Sequence, residues 1–234
     1  RSKPFRNRFC PPFFYLERKA PDHLTLSQEM SDIMSSLSYA LSQTKQALGF
    51  GSYPIVNVTS GVDGQVYRVR DMPDKQVAAD MMARVRMKMN KLKLHVESSY
   101  PDKPQVIQLS KNFEANPGRF YEATPEADHT SYSVNKGEAV HFCLRQRDGG
   151  DESLVQEDII TFVAIHEMGH MITASVGHGP DFWNNFAWLL KEAEAVQIYK
   201  HRDFKAHPVS YCGMKITDQP TYDAKKDGAD LSMG

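Results

Sequence analysis

Ile159-Ile160-Thr161-Phe162-Val163-Ala164-Ile165-His166-Glu167-Met168-Gly169-His170-Met171-Ile172 is the stretch on which the reading of this chain turns. Apolar residues occupy nearly every face of a 3.6-residue repeat, the pattern of a buried helix, which we assign to residues 152–175. Two histidines and a glutamate inside such a helix are costly unless something satisfies them. His166 and His170 lie four residues apart, about 40° round the axis, so both imidazoles leave one face and can grip one ion. Glu167 lies about 100° round from His166. It therefore flanks the ion instead of binding it. From there a carboxylate can take a proton from a zinc-bound water and pass it to a leaving amine. Gly169 costs about 1 kcal/mol of helix propensity relative to Ala, which implies that another element packs closely there.

H-E-x-x-H is a short pattern and also occurs without zinc, so its neighbours must add weight. His178 sits in Val176-Gly177-His178-Gly179-Pro180. The glycines end the first helix and Pro180 suits the first position of the next, assigned to 180–197. The chain thus turns sharply where His178 would swing back to the ion. Three protein ligands and one open position are the geometry of a catalytic zinc site. The rival third ligand is a carboxylate on the following helix, Glu192 or Glu194, as in proteases of the thermolysin type. We favour His178. Strict metzincin spacing fails, because position 173 is Thr and the third His comes too late. Phe182, Phe186, Leu189 and Ala193 form a core stripe, and Trp183 lies beside it, near the metal helix.

Further out the signals weaken. Residues 1–23 combine prolines, aromatics and six basic residues against two acids, an extended arm that packs Phe9, Phe13, Phe14 and Tyr15. Residues 25–48 read as a helix, and 54–59 and 65–70 as short β pieces. A second helix spans 74–92 with Val77, Met81, Val85, Met89 and Leu92 as its stripe, although from Arg84 the alternation also suits a strand. Residues 106–109 read as a strand, 131–145 alternate, and 148–150 read as a turn. The chain has 234 residues, 41% hydrophobic and 24% charged, with net charge −1, so it is no generic polyanion binder. No apolar run is long enough to span a bilayer. The three cysteines, Cys10, Cys143 and Cys212, are widely spaced and odd in number. They read as reduced thiols, favouring a reducing intracellular compartment. The chain begins with Arg1, so a targeting or anchoring segment could precede it.

His166-Glu167-x-x-His170 followed by His178-x-x-x-Phe182-Trp183 resembles the WLM-domain peptidases and the related SprT/Spartan-like peptidases. Ser133-Val134-Asn135-Lys136-Gly137-Glu138 and Val140-His141-Phe142-Cys143-Leu144-Arg145 are similar to the strand pair that precedes the active-site helix in WLM domains. The resemblance covers roughly residues 75–197, about half of the chain. The stretch Ile198–Pro220, with Tyr211-Cys212-Gly213-Met214, resembles the version carried by large DNA viruses of algae and protists, where a virion-associated protein would be at home. The resemblance implies an α+β zincin-like fold with a small mixed or antiparallel sheet on the active-site helix. It also implies zinc held by His166, His170 and His178, with Glu167 as general base. For relatives of this kind it suggests cleavage of proteins crosslinked to DNA. The loop between His170 and His178 is longer than in typical WLM domains, and no partner-binding tail motif follows, so the substrate stays open.

The parts are then an arm (1–23), an N-terminal helix and β-rich segment (24–73), a WLM/SprT-like core (74–200) and a C-terminal extension (201–234). The function expected is a zinc-dependent endopeptidase acting on a protein substrate, with the strand around 138–144 offering its edge to an extended peptide. Tyr199, His201, His207 and Tyr211 are candidate oxyanion donors. The basic run 84–93 or the arm offers a possible DNA contact. The alternative is a non-catalytic structural or interaction protein, such as a particle component, that retains the fold.

Overall fold

The computed structural model describes residues 54–127, 129–147 and 152–222. The N-terminal arm, the helix expected over 25–48, Cys10 and the 148–150 turn lie outside them. The architecture is α+β. Five strands form a mixed sheet in the order β1 (Ile55–Thr59), β2 (Val66–Arg70), β3 (Phe120–Glu122), β5 (Ala139–Phe142), β4 (Tyr132–Val134). The β1/β2 and β4/β5 pairs are antiparallel, whereas β2/β3 and β3/β5 are parallel. Four α-helices accompany it among the described residues: α1 (Lys75–Ser99), α2 (Pro104–Asn112), α3 (Glu157–Ile172) and α4 (Pro180–Ala195). None of the described helices is long and apolar enough to cross a membrane.

α1 extends beyond the expected 74–92, because Val96 continues the buried row formed by Ala78, Met82, Val85, Met89 and Leu92. It stops at Tyr100, just before Pro101, where the proline ring disfavours a helical predecessor. No strand forms from Arg84 onward. Residues 106–109, read as a strand, belong to α2. Pro104 at the first turn starts that helix, and Val106 and Leu109 bury at a three-residue spacing. A four-residue run with three apolar residues does not separate the two periods by itself. α3 starts at Glu157 instead of 152, because Leu154 is still extended and bridges to Arg145.

β5 has neighbours on both sides, so the edge expected of residues 138–144 belongs instead to β4 among the described residues. On the sheet face away from the core, Tyr121, His141 and Tyr132 stack across three strands, with centroids 4.8 Å and 4.5 Å apart. Such cross-strand pairs stabilise strands only three or four residues long. Burial holds His141 down to about 4, so it remains uncharged in the stack. The core face buries Tyr67, Val69, Phe120, Val140 and Phe142 against the helices.

A buried ionic network closes the far end of the sheet. Arg145 Nε donates to Glu122 Oε1 at 2.9 Å, and Arg145 Nη1 lies 2.6 Å from Asp74 Oδ1 at the start of α1. Glu122 Oε2 also accepts the Arg70 N–H at 2.7 Å. The basic run of α1 is engaged in the same manner. Arg84 and Lys88 both pair with Glu157 on α3 at 2.7 Å and 2.8 Å, Arg86 pairs with Asp63 at 3.0 Å, and Lys93 with Glu97 at 3.0 Å. The run expected to offer phosphate contacts is therefore largely neutralised inside the fold.

Residues 201–222 share the common core, with Phe204, Tyr211 and Ile216 buried in it. β6 (Val209–Tyr211) and β7 (Met214–Ile216) form a separate hairpin. Cys212 in its turn is joined to Cys143 in a disulfide across 69 residues. This corrects the expectation of reduced thiols: spacing along the chain does not reveal a pair brought together by folding.

The β4–β5 turn, Asn135-Lys136-Gly137, has φ of 45°, 55° and 121°. A Cβ on Gly137 would lie 2.5 Å from the Asn112 carbonyl oxygen of α2. Both the backbone region and the space demand glycine there. Gly137→Ala is expected to lower stability by more than about 1 kcal/mol, read as a lower urea midpoint with an unchanged m-value.

Candidate metal centre

The centre is built on the last two turns of α3. Every residue from Ile159 to Ile172 is buried, including His166, Glu167 and His170. Its C-terminal carbonyls are tied off by three side chains. Asn112 Nδ2 donates to the Met171 carbonyl at 2.7 Å, Lys136 Nζ to those of Thr173 and Ala174 at 2.9 Å and 2.7 Å, and Thr173 Oγ1 to that of Gly169 at 2.7 Å. Asn185 Nδ2 on α4 donates to Thr173 Oγ1 at 2.9 Å, joining the two helices below the turn. Thr173 thus terminates the helix at the position where a metzincin would have glycine.

Gly169 has the close neighbour expected of it. A Cβ there would meet Phe182 Cε2 at 3.1 Å and Phe186 Cβ at 3.5 Å. The absent side chain lets α4 lie directly on α3. That contact fixes where α4 begins, at Pro180, and so how the 173–179 loop returns. Gly177 turns it with φ 85°, and His178 comes back over the helix.

The three predicted ligands converge. One nitrogen from each of His166, His170 and His178 lies within 4.8 Å of the others. The His166–His170, His166–His178 and His170–His178 ring centroids are 5.0, 5.1 and 4.8 Å apart. His166 Nε2 and His178 Nε2 approach to 3.2 Å. Two nitrogens bound tetrahedrally to one ion at about 2.05 Å would stand about 3.3 Å apart. Phe182 touches all three rings, at centroid distances of 4.9, 4.3 and 4.7 Å, and forms an apolar floor. Trp183 borders His178 at 5.7 Å.

Electrostatics suits a cation. Burial, followed by the neighbouring His170 and His178, holds His166 well below its ordinary pKa. Burial, His178 and then Lys136 bring His170 to about 3. Burial also lowers His178. All three are thus neutral with lone pairs to donate, and the absence of protons leaves the cluster able to take positive charge from outside. The donor set fits a metal that favours imidazole.

Glu167 is 2% exposed and does not join the cluster of donors. Burial raises it to about 8, against the pull of the Ser133 hydroxyl and main-chain N–H on β4. The Ser133 hydroxyl is buried and makes no close hydrogen bond, so it acts on the carboxylate as a nearby dipole. Ser133 was not singled out from the sequence. Its signal was there, since Ser131 and Ser133 are polar residues at inward-facing positions of an alternating strand.

The remaining candidates lie elsewhere. Glu192, the rival ligand, is buried against α1, with His95 Nε2 at 2.8 Å and the Tyr100 hydroxyl donating at 3.0 Å. Burial raises its pKa, but those two partners and Lys191 outweigh that and hold it low. Glu194 faces His201 at 3.4 Å. Tyr199 packs on Phe162 at the opposite half of α3, and His201 and His207 are exposed. Tyr211 is fully buried, with its hydroxyl 2.5 Å from Ser131 Oγ. None of these four joins the histidine cluster.

No family model matches the chain, and no solved structure matches it. Two viral proteins are similar to it. The uncharacterized protein R325 of Acanthamoeba polyphaga mimivirus is 28% identical over 165 residues, 69% of this chain and 82% of that protein. The uncharacterized protein 136R of Invertebrate iridescent virus 6 is 27% identical over 82 residues, 35% of this chain and 44% of that protein.

The geometry separates the two ligand sets that the sequence left open. Elemental analysis of the purified protein should find metal in the wild type, none in His178→Ala and undiminished metal in Glu192→Ala. The reverse pattern would contradict the three-histidine centre.

Proposed function

We propose that the chain is a zinc-dependent endopeptidase of zincin-like fold, related to the WLM and SprT-like group. The observation that supports it most is the convergence of His166, His170 and His178 beside a buried Glu167. Three imidazoles with no fourth protein donor in the cluster among the described residues suit a catalytic zinc and not a closed structural one. When bound, zinc supplies Lewis acidity toward a carbonyl oxygen and brings the pKa of water toward neutrality.

The chain's own residues do the rest. Phe182 keeps one side of the centre dry. Lys136 and Asn112 fix the end of the helix, so His170 is held at its root. Glu167, one residue on from His166, takes a proton from the attacking water and delivers it to the departing amine. Its raised affinity for a proton suits the delivery half of that task, and a cation held by the three histidines would favour the carboxylate form needed for the first half. An extended peptide has β4 available for main-chain pairing, since β4 ends the sheet among the described residues and its Ser133 adjoins Glu167. Recognition through main chain gives broad tolerance of substrate sequence.

Glu167→Gln tests the reading against that of a particle component that merely keeps the fold. The variant should retain its metal and melting temperature and lose at least about 100-fold in cleavage of an unfolded protein substrate. Cleavage that persists in the metal-loaded variant would remove Glu167 from the chemistry.

A further inference from the structure

Two three-residue strands have no stability of their own, so the β6–β7 hairpin depends on what it touches. Cys212 and Gly213, with φ of 49° and 83°, make the left-handed two-residue turn that suits such a hairpin. Three contacts hold it against the sheet. One is the Cys143–Cys212 disulfide, joining the turn to the residue after β5. The second is Gln146, which donates from Nε2 to the Ser210 carbonyl at 3.2 Å and accepts the Cys212 N–H at 2.9 Å. The third is the buried pair of Tyr211 and Ser131 hydroxyls at 2.5 Å, in which Ser131 Oγ also accepts the Cys143 N–H at 2.9 Å.

These contacts lead to the candidate centre. Ser131 directly precedes β4 and lies two residues from Ser133, on the same face of an extended chain. β4 itself packs on α3 with Ser133 buried between them, and Ser133 and Tyr211 both lie within electrostatic reach of Glu167. The ligands themselves are supported chiefly by α4 and by Asn112 of α2, with Lys136 beyond the end of β4 that lies away from Ser131.

We propose that the β6–β7 hairpin is a working part of the Glu167 site, with Tyr211 as its positioning residue and the Cys143–Cys212 disulfide as its redox-sensitive clasp. The inference rests on the peptidase reading above. Opening the clasp frees the hairpin and loosens β4 behind Glu167, but it leaves the three histidines in place. A trialkylphosphine suffices as reductant. The disulfide gains two electrons and two protons and becomes two thiols, while the phosphine becomes its oxide with the oxygen of water.

The test uses the full chain loaded with zinc, in a Cys10→Ser background so that the only thiols are those of the pair. Three forms are compared with the oxidised protein: the same protein reduced with tris(2-carboxyethyl)phosphine, the Cys143→Ser/Cys212→Ser variant, and Tyr211→Phe with the disulfide intact. Each should keep its zinc and lose about tenfold in kcat on labelled casein, with KM changed by less than about twofold. Amide exchange should quicken at residues 131–134 and 209–216 and stay unchanged at 166–170. Unaltered kcat in Tyr211→Phe, or unaltered exchange at 131–134 after reduction, overturns the proposal. If the oxidised protein cleaves nothing, the peptidase reading fails by itself, and the exchange at 131–134 still decides whether the clasp reaches the Glu167 strand. If the double serine variant does not fold, Tyr211→Phe and the phosphine-treated protein decide.

Discussion

The structure depends on one constraint: a helix apolar on every side carries two histidines and a glutamate into the interior. Each buried polar group left unsatisfied costs about 1–3 kcal/mol. α3 is enclosed by α1, α2, α4 and the inner face of β4 and β5, so water does not offset that cost. The fold answers in two ways. It brings a third histidine over the other two, which makes a site where a cation can satisfy all three imidazoles. It also packs β4, with its buried Ser133, against the helix that carries the carboxylate. The rest follows from keeping α3 covered. Gly169 admits α4 to contact distance, and the start of α4 determines where His178 lies.

What the sequence revealed was what depends on near neighbours. The i, i+4 pair of His166 and His170 is a property of one helix. His178 was readable because Gly177, Gly179 and Pro180 mark a turn that can only bring the chain back. The alternation through 131–145 gave the β4–β5 pair, and the spacing of Phe182, Phe186 and Leu189 gave the face of α4. Residues 106–109 mislead because their three apolar side chains fit either period, and the proline that decides for a helix stands outside them.

What was hidden depends on distant pairing. Glu157 joins Arg84 across 73 residues of sequence and also pairs with Lys88, which turns an apparently free basic helix into an internally paired one. Strand order is likewise non-local: β3 intervenes between β2 and β5, which leaves β4 at the edge. The disulfide spans 69 residues and encloses α3, His178 and α4 in one loop. Glu192 illustrates the same point in reverse. Its spacing from His170 suits a ligand, but its face of α4 is turned to His95 and Tyr100 on the other side of the helix pair. The two viral relatives establish that similar chains exist elsewhere, and they leave the chemistry to be argued from the site.

The central claim is a three-histidine metal centre with one open position. X-ray absorption at the zinc edge of the loaded protein tests it most directly. The account predicts nitrogen and oxygen scatterers alone at about 2.0–2.1 Å, with the multiple-scattering signature of three imidazoles. A sulfur shell at about 2.3 Å, or four imidazoles, would contradict it.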